Sequence, residues 1–153
     1  MNNLILVRHG QSEWNLENRF TGWVDVGLAA KGKLEACKAG ELIKELNLEL
    51  SYFYTSLQTR SIETLNLILN TMRIKDQNIV NAWELNERHY GALTGLNKEE
   101  TKKKIGEEQF KKYRRSWDIA PPPMNTESEY QNLFSPLNSV SYTHLTLPTT
   151  PYV

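Results

Sequence analysis

The sequence predicts an α/β fold built around a mostly parallel sheet. Two short apolar segments, residues 3–8 and 52–55, have the length of buried strands. Each is followed by a longer segment with apolar residues at helical spacing, residues 28–46 and 57–72. Strand, helix, strand, helix in that order is typical of parallel strands, because the helix carries the chain back to the start of the next strand. A chain of 153 residues can bury a core of its own as one domain.

The first predicted strand ends abruptly in a polar segment. The apolar residues 4–7 are followed at once by Arg8, His9 and Gly10. Ligands of open α/β sheets bind beyond the carboxyl ends of the strands, and a glycine there lets the backbone turn sharply. An arginine beside an imidazole at this position indicates phosphate chemistry, with His9 as nucleophile and Arg8 as clamp. The alternative is a structural histidine, which is the more common role of a lone His at a strand end.

The other elements follow in order. The helix over 28–46 has an uncertain start, because Ala29 at its expected N-cap position cannot cap it. Residues 79–80 begin a third strand. The charged residues 98–117 are helical, and the prolines at 121–123 end that region. The expected apolar faces are Leu28, Leu34, Cys37, Ala39, Leu42, Ile43 and Leu46 for the first helix, and Leu57, Ile62, Leu65, Ile68, Leu69 and Met72 for the second.

Composition excludes several classes of protein. The 18 basic and 18 acidic residues balance, and residues 1–125 hold all the basic residues but only 16 of the acidic ones. A nucleic-acid partner would require a strongly basic patch, whereas a few converging arginines suit a small anion. Cys37 is the only cysteine, so no internal disulfide forms and we expect it to be a buried small hydrophobe. Without a signal peptide or an apolar stretch of membrane-spanning length, we expect a cytoplasmic protein and no membrane partner.

Longer motifs extend the phosphate interpretation. Residues 8–28 contain RHGxSxWNxxxxFTGWxDxxL, and residues 84–98 are ELNERHYGALTGLNK. Residues 54–60 contain Tyr-Thr-Ser and an arginine, and residues 114–122 contain Arg-Arg and then Ala-Pro-Pro. In this order the motifs resemble the cofactor-dependent phosphoglycerate mutases of the histidine phosphatase superfamily. The resemblance extends from residue 4 to about residue 124. It implies a three-layer α/β fold, with helices on both faces of a mostly parallel sheet, that is incomplete at the C-terminus.

The resemblance also implies the chemistry. His9 matches the phosphorylated nucleophile, Arg8 and Arg60 grip phosphate oxygens, and Glu87 gives and takes the substrate's proton. The reaction implied is the interconversion of 3-phosphoglycerate and 2-phosphoglycerate in glycolysis and gluconeogenesis. Its priming phosphoryl donor is 2,3-bisphosphoglycerate, no metal is needed, and the full-length form is expected to be a homo-oligomer. The matching substrate-binding residues are Arg8, Asn15, Thr21, Gly22, Arg60, Glu87, Arg88, Tyr90, Lys98, Arg114 and Arg115, and we expect Trp14, Trp23, Trp83 and Trp117 to form core or site walls.

The C-terminal part departs from the family pattern. The family's site needs a second His in a later His-Gly-Asn segment, and neither of the other two histidines lies in one. We therefore expect residues 1–125 to be the N-terminal part of a catalytic domain and residues 126–137 to match weakly or be unstructured. Residues 138–153 are expected to be a non-native, disordered tail, because residues 140–145 resemble the translated end of a sequencing adapter; a natural disordered tail is the alternative. Central strands would then lack neighbours, and this fragment would be nearly inactive.

Two other functions stay open. One is a histidine phosphatase that hydrolyses a small phosphomonoester through the same phosphorylated His9. Release of phosphate without exchange between the two phosphoglycerates would favour it. The other is a non-catalytic fragment that binds anions or a partner subunit, which failure to phosphorylate His9 would favour.

Overall fold

The computed structural model describes residues 3–75, 78–125 and 127–130. The tail predicted over residues 138–153 lies outside the described residues, and so does most of the segment predicted over 126–137. Short 3₁₀ turns occupy Trp83–Leu85 and Gly91–Leu93. The helices and strands are α1 (Glu13–Leu16), α2 (Ala30–Glu45), β1 (Phe53–Thr55), α3 (Thr59–Met72), β2 (Ile79–Asn81), α4 (Lys98–Ile105) and α5 (Glu107–Arg115).

The strands β1 and β2 form a parallel pair. Phe53 lies opposite Ile79, and Thr55 lies opposite Asn81. The helix α3 connects the two strands, as expected for a parallel crossover. The α/β class, the strand at 52–55 and the strand beginning at 79 are thereby confirmed.

The predicted first strand, residues 3–8, is wrong. No strand forms there, and the side chains of Leu4 and Leu6 are 82% and 76% exposed. A strand exists only by pairing its backbone with a neighbour, and neither β1 nor β2, the strands within the described ranges, pairs with this segment. Residues 4–7 are apolar and suited to burial, but β1 and β2 do not cover their side chains.

Small residues form the packed face of α2 against α3. A Cβ added at Gly40 would lie 2.9 Å from Cβ of Thr71 and 3.0 Å from the carbonyl oxygen of Ile68. The buried residues of α2 are Gly32, Ala36, Gly40 and Ile43. The predicted face was therefore wrong in large part: Leu34, Leu42 and Leu46 are exposed, and Cys37 is only half-buried. The predicted N-cap was correct, since Ala29 is the N-cap and supplies no side-chain cap, although the helix begins at Ala30 rather than at residue 28.

A carboxylate from a distant loop caps α3. The residue at the N-cap position, Gln58, makes no capping hydrogen bond. Asp25 instead accepts hydrogen bonds from the backbone N–H and the hydroxyl of Thr59, both at 2.7 Å. A negative charge at this helix end also interacts favourably with the helix dipole.

Replacing Asp25 by alanine should therefore lower the free energy of unfolding by about 1–2 kcal/mol, because the first turn of α3 loses its cap. Urea titration followed by circular dichroism measures the change. Glu41→Ala is the matched control, since it removes a carboxylate that pairs with Lys38 on the exposed face of α2. We expect that control to stay within about 0.5 kcal/mol of the parent chain. Equal losses in the two variants would contradict the capping role.

The charged segment predicted to be helical over 98–117 forms two helices, the second of which ends at Arg115. The helices α4 and α5 meet at Gly106, whose φ of 82° interrupts the helix.

An aromatic cluster of Phe20, Tyr90 and Phe110 packs α5 onto two loops. The ring centroids of Tyr90 and Phe110 lie 4.9 Å and 5.8 Å from that of Phe20. Trp14 is buried as expected, but Trp117 is 74% exposed and forms no wall of the core. No helix in the described ranges is long and apolar enough to cross a membrane.

Candidate active site

His9 presents one ring nitrogen to a ligand. It is half-buried, and its Nδ1 lies 2.7 Å from the carbonyl oxygen of Gly10. Because a carbonyl can only accept, Nδ1 carries the proton in this hydrogen bond and Nε2 keeps its lone pair. Burial lowers the pKa of His9 below its ordinary value of 6.5, and the Arg60 charge lowers it further. The neutral imidazole needed for nucleophilic attack is therefore favoured.

The ring of His9 should accordingly titrate with a midpoint below pH 6.5 in the folded chain. Proton NMR of the ring, with the signal assigned by its loss in His9→Gln, measures this midpoint. The unfolded state then binds the proton more tightly than the folded state, so this residue's contribution to stability is intact above pH 6.5 and is lost as the pH falls through the folded-state pKa. A midpoint at or above 6.5 would contradict the assignment.

Two buried contacts hold the turn that carries His9. The backbone N–H of Gly10 donates to Oγ1 of Thr64 at 3.2 Å, and this hydroxyl donates to the carbonyl oxygen of Arg60 at 2.7 Å. On the other side Gly10 lies directly against Gly32, where an added Cβ would approach the Gly32 carbonyl oxygen to 2.2 Å. The turn is thus fixed between α2 and α3.

Arg60 lies in the first turn of α3 and is completely buried. Its Nη1 donates to the carbonyl oxygen of Val24 at 3.0 Å, and its Nη2 donates to that of Gly22 at 2.7 Å. Nη2 also contacts a carboxylate oxygen of Glu87 at 3.1 Å. Burial lowers the pKa of Arg60, and Glu87 opposes that effect. Arg60 therefore brings positive charge next to both His9 and Glu87.

Further cations surround the same place. The pKa of Lys98 is lowered by burial and then by the Arg114 charge, and the charges of Glu87 and Arg8 also act on it. Burial raises the pKa of Tyr90 to about 12, with Glu87 contributing, so Tyr90 is a neutral donor at physiological pH. The predicted site residues Arg8, His9, Arg60, Glu87, Tyr90, Lys98 and Arg114 thus lie within electrostatic range of one another. An excess of positive charge with one carboxylate suits a small polyanion.

Several buried polar atoms have no hydrogen-bond partner within the described part of the chain. They are Oγ1 of Thr21 and of Thr94, and Nε of Arg60, Arg88 and Arg114. Buried donors are normally paired, so unpaired ones beside a cationic site are available to a ligand. Thr21, Arg60, Arg88 and Arg114 all belong to the predicted binding set.

Three of the predicted binding residues, Asn15, Gly22 and Arg88, make contacts that hold parts of the fold together. Nη2 of Arg88 donates to the carbonyl oxygen of Ser116 at 2.9 Å and so holds the segment after α5. Asn15 and Ser12 form the capping box of α1. The carbonyl of Gly22 is already the acceptor for Arg60. The positive charge of Arg115 opposes the rise in the pKa of Tyr90, which places Arg115 near the site.

Sequence reasoning missed Gln58 and Thr64. Both are buried polar side chains that contact site residues. Thr64 follows Arg60 by four residues and so shares its helix face, which was a usable signal. Gln58 is a polar residue directly before the helix that carries Arg60, but its partners are distant in sequence.

Among the described residues no group of three His, Cys, Asp or Glu side chains is arranged to hold a metal ion.

Comparison with known proteins identifies the family. Residues 4–133 match the histidine phosphatase superfamily (branch 1), and the chain belongs to this family. It is 62% identical over 133 residues to a 2,3-bisphosphoglycerate-dependent phosphoglycerate mutase of Pelagibacter ubique, a match that covers 87% of this chain and 56% of the relative. A mutase of the same name from Corynebacterium jeikeium is 55% identical over 134 residues, covering 88% of this chain and 53% of the relative. The resemblance to phosphoglycerate mutases is thereby confirmed.

A solved structure confirms the fold. The crystal structure of phosphoglycerate mutase from Bacillus anthracis superposes with a TM-score of 0.59 at 26% identity, covering 69% of this chain and 48% of that one. The chain therefore spans about half the length of the mutases that it matches.

Proposed function

We propose that this chain carries the phosphoryl-accepting part of a phosphoglycerate mutase site, in which 2,3-bisphosphoglycerate phosphorylates His9. The observation that carries the proposal is the arrangement around His9: an imidazole whose Nδ1 donates to the Gly10 carbonyl, which leaves Nε2 unprotonated, beside the ion pair of buried Arg60 and partly exposed Glu87. The names of the close relatives support 2,3-bisphosphoglycerate as the donor and small phosphorylated three-carbon acids as the substrates.

The residues have defined parts in the proposed reaction. Nε2 of His9 attacks the phosphorus of the donor, the bond from phosphorus to the leaving oxygen breaks, and Glu87 supplies the proton which that oxygen takes up. In the return step the substrate hydroxyl attacks the phosphorus of phosphorylated His9, and its proton passes to Glu87. This transfer forms 2,3-bisphosphoglycerate, which reorients and returns its other phosphoryl group to His9, so that 3-phosphoglycerate and 2-phosphoglycerate are interconverted.

The cations stabilise the transferred group and the substrate. Guanidinium groups match phosphate oxygens in pairs, and they offset the charge that spreads over those oxygens in the transition state. Arg8 and Arg60 are closest to His9 in this scheme, whereas Lys98 and Arg114 serve the distal charges of the substrate. Arg88 and Arg115, together with Asn15, Thr21, Gly22 and Tyr90, complete the proposed binding set.

Phosphoryl uptake tests the proposal. We expect the 153-residue chain, mixed with radiolabelled 2,3-bisphosphoglycerate, to gain one acid-labile phosphoryl group on His9. His9→Ala should abolish the label, and His89→Ala, which removes the other histidine of the described residues, should retain it. Labelling that survives in His9→Ala, or its absence from the parent chain, would refute the proposal. Release of phosphate without transfer to 2-phosphoglycerate or 3-phosphoglycerate would indicate a phosphatase instead.

Turnover requires the remainder of the site. We expect the 153-residue chain to turn over at a small fraction of the rate of a chimera, in which residues 1–130 are continued with the corresponding C-terminal part of the Pelagibacter ubique relative. A coupled assay of 2-phosphoglycerate formation measures both. Equal rates would contradict the expectation that the second catalytic His is missing from this chain.

A further inference from the structure

Gln58 is a buried amide that bridges two site loops. Its side chain is 1% exposed and lies between the start of α3 and residues 86–87. Nε2 donates to the carbonyl oxygen of Gly22 at 2.7 Å, and Oε1 accepts from the backbone N–H of Glu87 at 3.2 Å. Both ends of the amide are therefore used.

We propose that Gln58 is a positioning residue that sets the place of the Glu87 carboxylate for proton transfer, a role that rests on the proposed function. Gln58 holds the backbone of Glu87, while Arg60 holds its carboxylate at 3.1 Å. Both side chains donate to the same carbonyl, that of Gly22. The four residues thus form a closed ring of hydrogen bonds, in which Glu87 is fixed at two points.

The chemistry of an amide explains this residue at this position. A buried polar group costs stability unless it is hydrogen-bonded, so packing alone would be served better by an apolar side chain of the same size. A carboxylate would place an oxygen against the Gly22 carbonyl, and an aliphatic side chain would leave both the Gly22 carbonyl and the Glu87 N–H with one partner fewer. Only a group with a donor at one end and an acceptor at the other fits both partners.

A second backbone contact restricts the same segment. The side-chain oxygen of Asn86 accepts a hydrogen bond from the backbone N–H of Leu57 at 3.0 Å. Residues 57 and 58 therefore hold residues 86 and 87 directly. Proton transfer requires the acid to lie within hydrogen-bond reach of the reacting oxygen, so a small displacement of Glu87 impairs that step.

Two phosphoryl donors separate positioning of the proton carrier from general packing. Loss of a glycerate alkoxide from 2,3-bisphosphoglycerate requires a proton, whereas p-nitrophenolate leaves from p-nitrophenyl phosphate without one. Gln58→Met preserves the length of the side chain and removes its donor. We expect it to slow His9 phosphorylation by 2,3-bisphosphoglycerate about tenfold, and that by p-nitrophenyl phosphate less than about twofold. Glu87→Gln should show the same selectivity with a loss of about a hundredfold for 2,3-bisphosphoglycerate.

The controls decide between the possible outcomes. Thr101→Val removes a buried hydroxyl that donates to the Asn97 carbonyl at the start of α4, and we expect it to leave both rates unchanged. Gln58→Leu provides a second variant if Gln58→Met does not fold. Equal losses with the two donors, or no loss with either, would overturn the positioning role while leaving the phosphorylation of His9 intact. A parent chain that accepts phosphate from neither donor would refute the proposed function and, with it, the role of Gln58.

Discussion

Replacing Arg60 by methionine is expected to lower the free energy of unfolding by about 3–5 kcal/mol and to abolish phosphorylation of His9. The guanidinium is fully buried and is the hydrogen-bond donor to the carbonyls of Gly22 and Val24 and to the carboxylate of Glu87. Methionine would leave that carboxylate and the two carbonyls without this hydrogen-bond donor. Urea titration measures the stability, and radiolabelled 2,3-bisphosphoglycerate measures the phosphorylation.

Lysine should not restore either property. One ammonium group cannot reach Val24, Gly22 and Glu87 in the planar geometry that the guanidinium provides. Lys38→Met is the matched control, because it removes a cation whose pair with Glu41 is exposed on α2. We expect that control to stay within about 1 kcal/mol of the parent chain. Substantial recovery in Arg60→Lys would show that charge alone, rather than the hydrogen-bond geometry, is what the site needs.

Arg60 also shows how far the sequence leads. The motif resemblance predicts that it is a phosphate clamp, and helical spacing placed it early in α3. Neither could show that its partners are backbone carbonyls 36 and 38 residues away, because such contacts depend on how the loop after α1 folds over α3. Gln58 was missed for the same reason: its contacts to Gly22 and Glu87 span 36 and 29 residues.

Strand prediction succeeded for the two segments that pair with each other and failed for residues 3–8. Residues 52–55 and 79–80 were predicted from short apolar runs, and they pair with each other. Residues 3–8 have an equally apolar pattern, yet they form no strand. Hydrophobicity shows that a segment is suited to burial. Whether the segment forms a strand also depends on a neighbouring strand to pair with, which its own sequence does not determine.

Apolar spacing alone does not predict the packed face of α2. At the contact with α3 the helices approach through small residues, while three predicted leucines are exposed. Gly32, Ala36 and Gly40 recur every four residues and so share one helix face. A close approach of two helices requires small side chains rather than hydrophobic ones. The four-residue spacing of small residues is the sequence signal that indicates such an approach.

The same face carries a contact that reaches the nucleophile. Gly32 of α2 lies against Gln11, and a Cβ added at Gly32 would stand 2.1 Å from the Gln11 carbonyl oxygen. That carbonyl also accepts the backbone N–H of Ala29 at 2.9 Å, so the start of α2 and the segment after His9 are in backbone contact. The backbone of Gln11 cannot retreat without moving the turn that holds His9.

Gly32→Ala should therefore destabilise the chain by about 1–3 kcal/mol and slow phosphorylation of His9, because the added methyl group displaces that turn. The sign of the change in stability distinguishes this contact from helix propensity. In a helix stabilised by propensity alone, replacing glycine by alanine would raise the free energy of unfolding by up to about 1 kcal/mol. Gly27→Ala is the control: its Cβ would meet the Glu63 carboxylate at an ordinary 3.6 Å, so we expect a change within about 0.5 kcal/mol. Urea titration and the labelling assay measure the two effects. A Gly32→Ala chain that is more stable than the parent would show that α2 does not hold the turn at His9.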